Sequence, residues 1–137
     1  MNKPIPTNVH GVLDYLSVPA LLTLPRLLKW NKRITALTTG IALGTLGASL
    51  MTRYELGVFK VIPMTGHLVL DATNGVMLAA SPFVLLNKWE RNATVTSVLV
   101  GFGVFEIAAA LLTQTQPSMQ YRAKESVNHL RDLVTSK

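Results

Sequence analysis

The chain has 137 residues, of which 49% are hydrophobic and only 15% are charged. This composition excludes an ordinary water-soluble domain, which needs more charge to cover its surface. The net charge of +6 comes mainly from Lys and Arg between the apolar segments, as in membrane-protein loops that meet anionic lipid, so nucleic-acid binding is not predicted. Cysteine is absent, which excludes disulfides and thiolate metal sites.

Four apolar segments follow one another along the chain, each about long enough to cross a bilayer as a helix. They predict helices at about residues 8–28, 34–52, 65–86 and 93–113. Pro6 and Pro63 stand just ahead of the first and third helices, where a missing N–H costs little. Residues 119–134 predict a further, amphipathic helix. We therefore expect an all-α membrane protein, with a four-helix transmembrane bundle in residues 1–117 and an amphipathic tail in residues 118–137.

The first and third helices begin with two similar stretches, IPTNVHGVLD (Ile5–Asp14) and IPMTGHLVLD (Ile62–Asp71). The offset that relates these stretches also relates Gly40 to Ser97 and Gly44 to Gly101, which predicts two gapless repeats at residues 5–59 and 62–116. Each repeat holds two spans, so both must enter the membrane from the same side as parallel helical hairpins. The two polar pairs in these repeats should then lie at the same depth.

His10 with Asp14, and His67 with Asp71, are i, i+4 pairs, each on one helix face. Ionisable side chains within a membrane segment face the bundle interior and find partners there. In a structural interpretation, each His donates to its own Asp and the two pairs form a polar plug. In a metal-site interpretation, two imidazoles and two carboxylates bind Zn, Mn or Fe, with or without hydrolytic chemistry.

Two further interpretations use the same residues. A proton or ion path could run through the His and Asp side chains and Glu106 of the fourth helix. A haem could be ligated by His10 and His67, although an Asp one turn from each His is a poor neighbour for a macrocycle. Glu106 and Asn74 are predicted as additional members of the polar cluster.

Small residues four apart mark one face of the second and fourth helices: Gly40 with Gly44, and Ser97 with Gly101. Such faces let membrane helices approach closely, either inside the bundle or in a homo-oligomer. The short loops after the first and third helices are rich in Lys and Arg, which favours a cytoplasmic position for them and places both termini outside.

The stretch NGVMLAASPF (Asn74–Phe83), with His67 and Asp71 just ahead, resembles the core of the SPW-repeat membrane proteins. The first repeat is similar only through its His, Asp and Pro, and Phe83 stands where the family has Trp. The resemblance implies a small bacterial inner-membrane protein with four helices, and it implies no activity.

No nucleophile motif, phosphate-binding loop or dinucleotide fingerprint occurs in the sequence. The sequence therefore favours a non-enzymatic membrane protein, either a structural or interaction component or a binder of a small ligand. The alternative is a metal-binding protein or metal-dependent membrane enzyme that uses both His/Asp pairs. A proton-coupled carrier or a haem-binding bundle comes third.

Overall fold

The computed structural model describes residues 3–135, which fold into five α-helices. They are α1 (Thr7–Leu27), α2 (Lys32–Met51), α3 (Met64–Val84), α4 (Ala93–Leu112) and α5 (Met119–Thr135). Over these residues the chain forms two isolated β-bridges and no strand. Each helix boundary lies within two residues of its predicted position, so the all-helical prediction is confirmed. Residues 1–2 of the predicted transmembrane domain and 136–137 of the predicted tail lie outside the described range.

The residues that start the four long helices explain where these helices begin. Pro6 and Pro63 are the N-cap residues of α1 and α3, both with extended backbone. Asn31 and Asn92 cap α2 and α4, and their side chains accept hydrogen bonds from backbone N–H groups of the first turn. Such caps satisfy donors that have no partner within the helix.

The two bridges fix how the hairpins are arranged. Ile5, just ahead of α1, pairs with Thr113 at the end of α4, and Ile62, just ahead of α3, pairs with Thr52 at the end of α2. The helices α1 and α3 therefore begin at the same end of the bundle, where α2 and α4 finish. We call this the terminus end.

The repeat is not gapless, which corrects the sequence prediction. The interval between the caps Asn31 and Asn92 is longer than the interval between the caps Pro6 and Pro63. The loop after α3 is four residues longer than the loop after α1, and this shifts the register of the second helix. The equivalent of Gly40 is consequently Gly101 and not Ser97. An insertion of four residues is close to one helical turn, so the gapless alignment kept similar residues on similar faces.

Close helix packing occurs between α3 and α4. A Cβ atom added at Gly75 would lie 2.6 Å from the backbone oxygen of Gly103, so only glycine permits this approach. The small residues predicted for such packing are instead exposed: Gly40, Gly44, Ser97 and Gly101. Their prediction as packing residues inside the bundle is wrong, because they face outwards. Their role in a homo-oligomer stays a prediction.

Among the described helices, α2 and α4 are long and apolar enough to cross a membrane. The helices α1 and α3 are equally long, but each carries a His and an Asp that lower its average hydropathy. The prediction of four spans therefore stays a prediction. No residue of α5 is buried, and its apolar face carries Val127, Leu130 and Val134.

Candidate metal centre

The structure brings both predicted polar pairs together near the terminus end. His10 and Asp14 come from α1, and His67 and Asp71 come from α3. All four are buried, with exposed fractions of 7% or less. One potential ligand atom from each side chain lies within 4.8 Å of the other three. The four groups therefore form a single cluster on the pseudo-twofold axis of the two hairpins.

The hydrogen bonds of the cluster cross between the hairpins. His10 Nε2 lies 2.9 Å from Asp71 Oδ2, and His67 Nε2 lies 2.9 Å from Asp14 Oδ2. The distances within each helix are longer, 3.5 Å from His10 Nε2 to Asp14 Oδ1 and 3.1 Å from His67 Nε2 to Asp71 Oδ2. The prediction that each His donates to its own Asp is wrong. The i, i+4 spacing puts the pair on one face, but the facing helix presents the nearer carboxylate.

Two threonines orient the imidazole rings, and sequence analysis missed both. Thr113 Oγ1 lies 2.9 Å from His10 Nδ1, and Thr52 Oγ1 lies 3.0 Å from His67 Nδ1. Each hydroxyl donates its one proton to the carbonyl four residues earlier, at 2.6 Å. The threonine oxygen must then accept from the imidazole, so Nδ1 carries a proton and Nε2 points at the carboxylates. A histidine that donates its Nδ1–H in this way can bind a metal or a second proton at Nε2.

One feature of the cluster departs from the twofold symmetry. The Ser49 hydroxyl donates to Asp14 Oδ2 at 2.9 Å. The equivalent position on α4, in the register set by the caps Asn31 and Asn92, is Ala110, which has no hydroxyl to offer Asp71. The Asp14 side of the cluster is therefore held by an additional hydrogen bond.

Glu106 and Asn74, the two additional residues predicted for the cluster, have different surroundings. Asn74 Nδ2 reaches Thr45 Oγ1 at 3.4 Å. Glu106 is 7% exposed, and neither of its carboxyl oxygens has a hydrogen-bond partner. It lines a small internal cavity together with His10, Asp14 and Asp71 of the cluster. Glu106 is thus beside the cluster without being bonded to it, and the proton path through it stays a prediction.

The arrangement of His10 and His67 leaves no space for a haem between them without rearrangement. The two rings meet edge to face with centroids 5.4 Å apart. Carboxylate oxygens already lie 2.9 Å from both Nε2 atoms that an iron would need. A macrocycle would have to displace both Asp side chains from the bundle interior, so this arrangement does not favour the haem interpretation.

The loop between α2 and α3 covers the cluster at the terminus end. The ring of Tyr54 is fully buried, 6.2 Å from the ring of His67, and burial raises the pKa of its phenol. The Glu55 carboxylate accepts hydrogen bonds from Thr7 Oγ1 at 2.6 Å and from Ser118 N at 2.8 Å. Burial raises the pKa of Glu55, but these hydrogen bonds outweigh it and leave the pKa below its ordinary value of 4.5. Glu55 therefore ties the loop to the starts of α1 and α5.

No protein-family model, curated protein or solved structure matches the chain. The assignment of a role therefore depends on these residues and their geometry.

Proposed function

We propose that α1 to α4 all span a membrane. The helices α1 and α3 each have 21 residues, so each is about 32 Å long, close to the thickness of a bilayer core. Their His and Asp side chains are buried, while large apolar side chains point outwards: Leu16 is 63% exposed and Val69 is 64% exposed. A water-soluble bundle would show the opposite pattern, and an apolar outer surface of this kind suits lipid.

We infer that the cluster binds one divalent transition metal, with Zn²⁺ the best fit. Four tetrahedral ligands at about 2.0–2.1 Å from zinc lie about 3.3–3.4 Å from one another. The His–Asp distances of 2.9, 2.9, 3.1 and 3.5 Å are close to that separation. Small side-chain shifts would therefore admit the ion. Two buried imidazoles and two buried carboxylates, with one ligand atom from each within 4.8 Å of the others, are the observation that carries the proposal.

The bonds at Nδ1 are compatible with a metal at Nε2. A neutral imidazole whose Nδ1–H is donated to Thr113 or Thr52 has only a lone pair at Nε2. A lone pair and a carboxylate are both acceptors, and they do not approach to 2.9 Å without a proton or a cation between them. One divalent cation would satisfy all four contacts and would neutralise both carboxylates.

We propose that this metal has a structural role. Four protein ligands fill a tetrahedral zinc site, whereas catalytic zinc keeps a position for water or substrate. His and Asp from both hairpins would bind the same ion, so the metal would join the two halves of the bundle. This supports the non-enzymatic interpretation. The resemblance to SPW-repeat proteins supports a bacterial inner-membrane location, and the basic short loops support a position of both termini outside.

The test is metal analysis of detergent-purified protein from cells supplied with Zn, Mn and Fe. We expect one zinc per chain in the wild-type protein and none in His10→Ala. The matched control is His129→Ala, because His129 is exposed on α5 and far in sequence from the cluster, and it should keep the metal. A wild-type protein that holds no metal under any supply would overturn the proposal and leave a plug of imidazolium–carboxylate pairs.

A further inference from the structure

The ligand shell of the cluster obeys the twofold symmetry, but its surroundings do not. His10 and Asp14 correspond to His67 and Asp71, and Thr113 corresponds to Thr52. Beside this shell the symmetry ends. In the register set by the caps Asn31 and Asn92, Glu106 on α4 is equivalent to Thr45 on α2. A purely structural metal centre needs only the two His/Asp pairs and the two threonines. The buried carboxyl of Glu106, without a hydrogen-bond partner, requires a separate explanation.

An open apolar groove runs between α1 and α4, on the side of the bundle where Glu106 lies. Its volume is about 400 Å³, within the range of small-ligand sites, and its walls include Leu16, Ala20, Gly101 and Phe102. If the helices span a membrane, this groove faces the lipid tails. It is therefore accessible to a molecule dissolved in the bilayer and not to one dissolved in water.

The groove and the Glu106 cavity share a wall. Leu13, Ser17 and Phe105 line both of them. These three side chains separate the lipid-facing groove from the cavity that Glu106 lines, so the ligand proposed below requires them to move. An apolar groove next to an unpartnered buried polar group is complementary to an amphiphile, with its chain in the groove and its head group at the carboxyl.

The size of the cavity limits the head group. The cavity of about 10 Å³ has room for about one water-sized group, which fits a hydroxyl but not a phosphate or a sugar. A carboxyl oxygen accepts a hydrogen bond from a hydroxyl in either protonation state. We propose that the groove and Glu106 bind a single-chain lipid alcohol, which enters from the bilayer between α1 and α4. This lipid site rests on the proposed membrane placement and not on the metal.

Photolabelling in lipid nanodiscs tests the site. The probe is a long-chain alcohol that carries a photoreactive diazirine on its chain, and the reference probe is the same chain without the hydroxyl. Labelled peptides are quantified by mass spectrometry. We expect the alcohol to label α1 and α4 around Leu13 and Phe105 about tenfold more than the reference probe does, the factor that one hydrogen bond of about 1.4 kcal/mol confers.

Two variants separate the groove from the head-group site. Gly101→Leu fills the groove, and open space around Gly101 lets the side chain enter without a clash. It should abolish the preferential labelling, whereas Gly40→Leu, the same change at the equivalent open position of α2, should leave it unchanged. Glu106→Leu should reduce labelling by the alcohol to the level of the reference probe.

Three results would overturn the lipid site: equal labelling by both probes, labelling that survives Gly101→Leu, or an equal loss in Gly40→Leu. Because Gly101 lies on the exposed groove wall, the result for Gly101→Leu tests the site even if Glu106→Leu does not fold. Metal content is measured on the same samples. A wild-type protein with the expected labelling and no metal would sink the metal proposal alone, while bound metal without preferential labelling would sink the lipid site alone.

Discussion

Replacement of Thr113 by Val tests whether the threonines hold the imidazoles for a metal. Val keeps the shape of Thr but removes the oxygen that accepts from His10 Nδ1. Both residues are almost completely buried, at 0% and 1% exposed, so water cannot replace the lost acceptor. A buried donor without a partner costs about 1–3 kcal/mol. Loss of such an outer hydrogen bond typically weakens metal binding about 10–100-fold, which corresponds to about 1.4–2.7 kcal/mol.

The assay is a competition titration between the purified protein and a zinc chelator of known affinity. Thr73→Val is the matched control, because the Thr73 hydroxyl donates to the carbonyl four residues earlier but contacts no imidazole. We expect wild-type affinity in Thr73→Val, weaker zinc binding in Thr113→Val, and a similar loss in Thr52→Val by symmetry. Zinc affinity in Thr113→Val equal to that of the control would refute the proposed role of the hydroxyl.

Three other predictions concern stability and the tail. Gly103→Ala should destabilise the protein by about 1–3 kcal/mol, because a Cβ there meets the backbone of α3. Gly47→Ala should not destabilise it, because a Cβ there has open space, and thermal melts in detergent compare the two variants. The pKa of Glu55 is lowered in the folded protein, so its contribution to the free energy of unfolding is present above pH 4.5 and is lost as the pH falls through the folded pKa. Thermal melts at a series of pH values should show this loss, and Glu55→Gln should lack it. Leu130→Asp on the apolar face of α5 should reduce protection of α5 from hydrogen exchange in nanodiscs, while Asn128→Asp on its polar face should not.

The helices and the two His/Asp pairs were predictable because they depend on local signals. Runs of about 20 apolar residues set the helix lengths, and the i, i+4 spacing puts His10 and Asp14 on one face. Which carboxylate each imidazole reaches depends on how α1 and α3 cross, and this crossing leaves no local pattern in the sequence. The cross-hairpin bonds were therefore beyond sequence reasoning.

The threonines were missed for a different reason. With the offset that relates the two histidines of the cluster, Thr52 is aligned with Ala109, and no pair of threonines is visible. With the longer offset that the second helices follow, Thr52 is aligned with Thr113, and both are the C-cap residues of their helices. The matching caps Asn31 and Asn92 were the available signal for this shift. Allowing a gap in the loop between the two helices of each repeat would have revealed it.

Neither hairpin contains a complete set of metal ligands. Each supplies one His and one Asp, and the imidazole of each half lies 2.9 Å from the carboxylate of the other. A metal bound at this centre would stabilise the docked hairpins relative to separated ones, because only the docked form presents four ligands. Duplication of one hairpin is sufficient to build this shell, since the twofold axis repeats each ligand and each threonine. The side of α4 that carries Glu106 is then free to differ from its counterpart on α2. The proposed symmetric metal centre and the proposed asymmetric lipid-binding face would therefore place separate requirements on the same four helices.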